Sequence, residues 1–231
     1  MERPERALVI TPHPDDAEIG CGGTVASWIA QGTEVFYVLC TNGDKGSQEP
    51  DMTSERLAEI REREQAEAAE VLGVKEVVYL RYPDGALEDS AEFRGDLVRA
   101  IRKFKPDVVL CPDPHRRSFY LHRDHRICGQ VTMDAVFPYA RDRLHYPEHE
   151  REGLETHKAG DVLFWGTEQP DTFIEITDTI NKKIESLKKH ASQVGSEDGD
   201  VGDFVRASAR RTGERTDVPY AEGFLRIQIH R

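Results

Sequence analysis

Short apolar runs alternate with amphipathic stretches along most of this chain. Residues 7–11 read Ala-Leu-Val-Ile-Thr, and residues 34–40, 76–80 and 107–111 follow the same pattern. Runs this short, bounded by polar residues, predict buried strands. Between them the spacing becomes helical. Residues 18–30 predict a helix that stops at Gly32. Ser54 caps a second, running to about Leu72 and ended by Gly73, with Leu57, Ile60, Ala68, Val71 and Leu72 as its buried stripe. Residues 91–104 predict a third helix, and a loop rich in Pro, Arg and His leads to a fourth at 125–136.

This rhythm predicts an α/β fold: a single-domain, Rossmann-like, mostly parallel sheet with helices on both faces. Its crossovers should be right-handed. Ligands of such sheets bind beyond the carboxyl ends of the strands, which singles out the segments after Thr11, Cys40, Leu80 and Cys111. From about residue 138 the pattern loosens. Residues 138–160 are charged and read as a surface excursion, 162–165 and 173–176 as strands, and 178–190 as a helix. Residues 193–202 read as a loop, 203–211 as a short helix, and 224–229, which alternate, as an edge strand. No linker divides the 231 residues, so one domain is expected over residues 1–231.

Composition narrows the function classes. The chain is 38% hydrophobic and carries a formal net charge of −12. Its nearest basic cluster is Arg206, Arg210, Arg211 and Arg215, interrupted by Glu214. Phosphate neutralisation needs a basic surface, so no nucleic-acid partner is expected. Cys21, Cys40, Cys111 and Cys128 form no Cys-x-x-Cys pair, which argues against a disulfide framework or thiolate metal site. No apolar run approaches the ~18 residues of a membrane span, and the first residues do not resemble a signal peptide. A cytoplasmic protein without a membrane partner is expected.

Two clusters carry chemistry. His13-Pro14-Asp15-Asp16 directly follows the first predicted strand, and one tight turn brings His13 and Asp16 to the same side. Imidazole with carboxylate suits a divalent transition metal, zinc above all, with iron and cobalt also compatible. Two adjacent acids divide naturally into one ligand and one base. His122-Arg123-Asp124-His125 follows the fourth strand at the same sheet edge. His125 completes a three-ligand site with His13 and Asp16, the usual count for catalytic zinc. His122 is left to act on substrate, with Asp124 orienting it. Each cluster alone also reads as an ordinary polar loop; their convergence on one edge favours a site. His145, His149 and His157 are expected to face solvent, and His190 to end a helix, where its charge suits the dipole. Gly20-Cys21-Gly22-Gly23 lacks the small residue at position 25 of a dinucleotide fingerprint, and is read as close packing of the first helix on the sheet.

These motifs resemble the LmbE/PIG-L family of zinc-dependent N-acetylglucosaminyl deacetylases, with the bacillithiol-type and archaeal chitobiose deacetylases nearest in overall pattern. The likeness extends to Glu18 through Gly23, to Ile60-Arg61 with Glu64, to Tyr82-Pro83-Asp84, to Cys111-Pro112-Asp113-Pro114 and to Tyr220-Ala221-Glu222-Gly223-Phe224. It implies zinc on His13, Asp16 and His125, Asp15 as general base, and His122 as oxyanion donor partnered by Asp124. It implies sugar contacts from Arg61 and Asp84, a small amino-sugar substrate and a homo-oligomer such as a hexamer. Phe204 departs from relatives that carry a tyrosine in that helix. An amidase for a larger acyl group or a thiol conjugate, and a non-catalytic sugar-binding protein, stand as alternatives.

Overall fold

The computed structural model of the chain describes residues 2–117, 121–194 and 201–229. Its strands are β1 (Arg6–Thr11), β2 (Glu34–Thr41), β3 (Glu76–Tyr82), β4 (Val108–Pro112), β5 (Asp161–Trp165), β6 (Thr172–Glu175) and β7 (Ala221–Gln228). The helices are α1 (Asp16–Ala30), α2 (Ser54–Leu72), α3 (Ala91–Phe104), α4 (Arg123–Val136), α5 (Pro147–Arg151), α6 (Ile180–Leu187), α7 (Ala191–Val194) and α8 (Val201–Gly213). The strands form one sheet in the order β3-β2-β1-β4-β5-β7-β6. The first five run parallel, and β7 is antiparallel to both β5 and β6. The expected mostly parallel α/β sheet is therefore present.

β1 reads as continuously apolar because it is covered on both faces. Helices α1, α2 and α6 pack together, and α3 packs on α4. The chain leaves β1 toward β2 but leaves β4 toward β5, so the strand order reverses between β1 and β4. A crevice opens at such a switch point, outside the strand ends. Both chemical clusters emerge there.

Local signals explain most element ends. Thr53, one residue before the expected Ser54, caps α2 by accepting from the Arg56 N–H, and Gly73 ends it at φ 90°. Ser90 caps α3 through the Phe93 N–H. The glycines of α1 do allow close packing. A Cβ on Gly20 would lie 2.4 Å from the Trp165 side chain of β5, and one on Gly23 2.7 Å from Ile176.

Several expectations are corrected. The strand expected at the edge, β7, lies inside the sheet, and β6 is the edge. Alternation reports which faces are buried, not how many neighbours a strand has. α4 starts at Arg123, two residues before the expected start at 125, so Asp124 joins His125 in its first turn rather than lying in the preceding loop. The excursion at 138–160 is no loose surface loop. Arg102 is fully buried and donates to the carbonyls of Tyr139, Ala140, Asp142, His145 and Tyr146, which ties the excursion to α3. His149 is buried too, stacked on Tyr146 at 5.4 Å between ring centroids. The imidazole of His157 donates to the Pro106 carbonyl at 2.7 Å. Residues 195–200 of the expected 193–202 loop lie outside the described residues; Gln193 and Val194 belong to α7, and Val201 and Gly202 open α8. Among the described residues no helix is long and apolar enough to cross a membrane.

Candidate metal centre

The turn after β1 is pinned before it delivers any side chain. The Pro12 carbonyl accepts from both the N–H and the hydroxyl of Thr41, at 2.9 and 2.8 Å. The carboxylate of Asp16, first residue of α1, accepts from the His13 backbone N–H at 3.1 Å and lies 2.9 Å from His13 Nδ1. An acid at this position also suits the positive end of the helix. Asp15 stands between them at φ 93°, ψ −31°, outside the regions where non-glycine residues rest. Strain of this kind costs roughly 1–3 kcal/mol and persists where the surroundings impose it.

From the other side of the switch point, α4 brings His125 to the same spot, with Nε2 3.1 Å from Asp16 Oδ2. His13, Asp16 and His125 are all buried, and their ligand atoms lie within 4.8 Å of one another. A tetrahedral ion with bonds of ~2.0–2.1 Å separates its ligands by about 3.3 Å. The observed separations of 2.9 and 3.1 Å are close to that and need only slight opening. The donor set fits a divalent cation that takes nitrogen and oxygen, zinc included.

His13, Asp84, His122 and Asp124 also bring ligand atoms within 4.8 Å. That group fits a cation less well, because its oxygens are engaged. Asp124 is completely buried and accepts from the Gly85 N–H at 2.7 Å, the Leu87 N–H at 3.2 Å and His13 Nε2 at 3.0 Å. Asp84 Oδ1 is 3.2 Å from the same Nε2. The two ring nitrogens of His13 thus divide: Nδ1 faces the ligand set, and Nε2 is held by carboxylates. This carboxylate–histidine arrangement fixes ring orientation and raises ligand basicity.

The expected partner of Asp124 is thereby corrected. Its carboxylate orients His13, whereas the bond to His122 runs from the Asp124 backbone N–H to His122 Nδ1, at 3.1 Å. Since Nδ1 accepts, a neutral His122 carries its proton on Nε2. Burial, then the charge of His13, hold the His122 pKa below its usual value, which favours that neutral form. Its ring stands edge-on to His13, with centroids 4.6 Å apart.

Electrostatics match a site built for positive charge. Burial would depress His13, but Asp124, Asp16 and Asp84 outweigh it and push the group up to about 12. Asp16 is buried, which works against its charge, yet His125 and His13 hold it well below the usual carboxylate range. Asp84 is also lowered, as hydrogen bonding to His13 overcomes burial. Asp15 moves the other way: burial, then the Asp16 charge, push it up to about 7 against the pull of Arg61.

Arg61 is placed otherwise than expected of a sugar contact. It is buried and donates to the Pro14 carbonyl at 2.8 Å, to Gly43 at 3.1 Å and to Lys45 at 3.3 Å. It also lies 3.5 Å from the Asp15 carboxylate and 3.8 Å from that of Asp84. Its fork is spent on the framework of the site. Phe204 is solvent-exposed on α8.

Residues outside the two clusters support the centre from behind. Glu222 of β7 accepts from the Gly23 and Thr24 N–H groups at 3.0 and 2.7 Å, and pairs with the buried Lys183, which donates to the Ile19 carbonyl at 2.7 Å. This pair locks α1 to α6 and β7. Glu18, Gln65 and His190 form a second buried group behind Asp15.

The fold and this cluster define a class: a Rossmann-like α/β protein with a candidate mononuclear metal centre at its switch point. The family model described as PIG-L, GlcNAc-PI de-N-acetylase, matches residues 8–136, and the chain belongs to that family. It is 33% identical over 224 residues to the diacetylchitobiose deacetylase of Thermococcus kodakarensis, covering 95% of this chain and 82% of the relative. It is 34% identical over 166 residues to the mycothiol S-conjugate amidase of Streptomyces coelicolor, covering 63% of this chain and 56% of that protein. Among solved structures, the N,N'-diacetylchitobiose deacetylase from Pyrococcus horikoshii superposes with a TM-score of 0.91 at 33% identity, covering 97% of this chain and 84% of that one. Membership makes the chain an amide hydrolase of the deacetylase class with a candidate metal-binding group.

Proposed function

We propose that this chain is a zinc-dependent hydrolase that removes the N-acetyl group from an N-acetylglucosamine-type sugar or its conjugate. The observation that carries the reading is the convergence of His13, Asp16 and His125 beside a strained Asp15. His13, Asp16 and His125 would hold the ion. When bound, zinc polarises an amide carbonyl and lowers the pKa of water toward about 7.

The chain's own groups supply the rest. Asp15, raised toward neutrality, takes the proton of the attacking water, a contribution of typically ~10²–10⁴-fold. His122 offers Nε2–H to the oxygen that becomes negative; one such donor is commonly worth about 2.7–4 kcal/mol. Asp124 keeps His13 in the orientation that presents Nδ1. The C–N bond then breaks, the amine leaves with a proton returned by Asp15 or His122, and acetate remains. Asp84 follows β3 and sets its carboxylate beside His13 Nε2; it is kept as the candidate for a sugar hydroxyl.

We extend the proposal to residues 1–231 acting as one domain, since Glu222 and His190 brace α1 from outside the family-matched segment. A homo-oligomer, a hexamer for example, and a cytoplasmic location complete the reading; light scattering and cell fractionation test these. The function itself is tested by acetate release from diacetylchitobiose by zinc-reconstituted protein. Cleavage of a mycothiol S-conjugate instead would favour the amidase reading, which the relative from Streptomyces coelicolor supports.

A further inference from the structure

Asp15 holds a backbone conformation it would not choose, and its side chain makes no capping bond to α1. Something must impose that conformation. The peptide group between Pro14 and Asp15 has two polar atoms, and α2 takes both. Its carbonyl accepts from Arg61 at 2.8 Å, and its N–H donates to Gln65 Oε1 at 3.4 Å. Arg61 and Gln65 are four residues apart, so they stand on one face of the helix, one turn from each other. Together they fix the plane of this peptide, which sets the direction in which Asp15 leaves the chain.

Gln65 cannot serve this way unless its amide is itself held, because a rotated amide would present N–H to N–H. Nε2 of Gln65 donates to Glu18 Oε1 at 3.1 Å, which fixes Oε1 toward Asp15. The second oxygen of Glu18 accepts from His190 Nε2 at 3.2 Å. Glu18, Gln65 and His190 are all completely buried. A carboxylate buried this deeply is costly unless it is hydrogen-bonded on both oxygens, and here it is. The chain of bonds therefore runs from the start of α7, through α1 and α2, to the Asp15 backbone.

We propose that Gln65 is a positioning residue for Asp15, with Glu18 and His190 holding its amide in the working orientation. This rests on the reading of Asp15 as the general base. A shift of about 1 Å in a reacting group can cost on the order of 10²-fold in rate, so the group behind Asp15 should register in turnover rather than in metal binding. Glu18 holds Gln65 and His190 holds Glu18, while the charge of His190 also acts directly on the Asp15 carboxylate.

The test compares Gln65→Leu, His190→Leu and His190→Gln with the unchanged protein. Two readouts do not depend on activity: hydrogen exchange of the Asp15 amide in the metal-free protein, and zinc bound per chain. Gln65→Leu should retain zinc, exchange its Asp15 amide about tenfold faster or more, and lose about 10–100-fold in kcat on diacetylchitobiose with KM within about threefold. His190→Leu should retain zinc, speed exchange of the Asp15 amide and lower kcat, as Gln65→Leu does. His190→Gln, whose amide can still donate to Glu18, should return amide exchange to the slow rate of the unchanged protein. If Gln65→Leu does not fold, the two His190 variants decide. A fall in melting temperature with Asp15 exchange and kcat unchanged would overturn the proposal and leave a purely structural network. Failure of the underlying reading looks different: Asp15→Asn would then keep its turnover, while amide exchange in Gln65→Leu would still report whether Gln65 holds the peptide.

Discussion

Replacing Arg61 by methionine fills most of the volume and removes every hydrogen bond the guanidinium makes. Two of those bonds serve the buried carbonyls of Pro14 and Gly43, and a third serves Lys45. A buried carbonyl left without a donor costs about 1–3 kcal/mol. The change also removes the cation beside the carboxylates of Asp15 and Asp84. These terms overlap, so the total expected is about 3–5 kcal/mol, the range for breaking a buried charged pair from one side. For a chain of this size that lowers Tm by about 6–20 °C. Calorimetry on the metal-free protein is the cleanest assay, because no bound cation can then compensate. Turnover should fall as well, since the Pro14 carbonyl is one anchor of the Asp15 peptide. A melting temperature within about 1 °C of the unchanged protein, with a rise in KM alone, would show that Arg61 works on the sugar and that the framework argument is wrong.

Glu222→Gln strands the buried Lys183 ammonium and should cost about 3–5 kcal/mol in a urea melt; a loss below about 1 kcal/mol would mean that the pair contributes little. Gly129→Ala should be worse tolerated than its size suggests, because its Cβ would lie 2.3 Å from the Pro112 carbonyl, and backbone cannot step aside. It should push α4 off β4, cost about 1–3 kcal/mol or more and weaken zinc binding through His125; unchanged zinc affinity would contradict this. His149, buried with Arg99 and Arg102 nearby, has its pKa held below the usual value by burial first and then by those charges. The unfolded chain therefore takes up the proton first, so stability is full above about pH 6.5 and is lost as pH falls below it. His149→Gln should flatten that acid limb in melts across this range, and an unaltered slope would rule His149 out as its source.

Much of this architecture was readable from the chain alone, and the reasons differ by residue. Of the five parallel strands, β1, β2 and β4 announce themselves because both faces are covered, which leaves continuous apolar runs. The carboxyl ends of the strands follow from the strand rhythm, which brings His13, Asp16 and His125 to one sheet edge on sequence alone, whereas the reversal of strand order between β1 and β4 does not follow from it. Partners were less legible. Asp124 was assigned to its sequence neighbour His122, but its carboxylate reaches His13, far away in sequence and brought near by the switch point. The family resemblance points Arg61 at substrate, yet it lies on the buried stripe of α2 with Leu57, Gln65, Ala68 and Leu72, and that spacing is itself a sign of burial. Gln65 carried the same signal. His190 and Glu222 carried none, because what they touch depends on how α6 and β7 pack against α1. His149 sits in a charged stretch that resembles surface, but Arg102 draws the carbonyls of that stretch inward and His149 is buried.

If the two neighbouring acids do different work, one paired measurement separates them. Asp16 shares a ligand set with His13 and His125, whereas Asp15 stands beside that set in a strained conformation. Zinc content and the rate of acetate release should be measured together for Asp15→Asn and Asp16→Asn. Asp15→Asn should keep about one zinc per chain and lose ~10²-fold or more in kcat. Asp16→Asn should lose zinc affinity, and excess zinc should return part of its activity. If Asp15→Asn sheds the metal, or turns over at nearly the normal rate, the assignment of ligand and base is wrong.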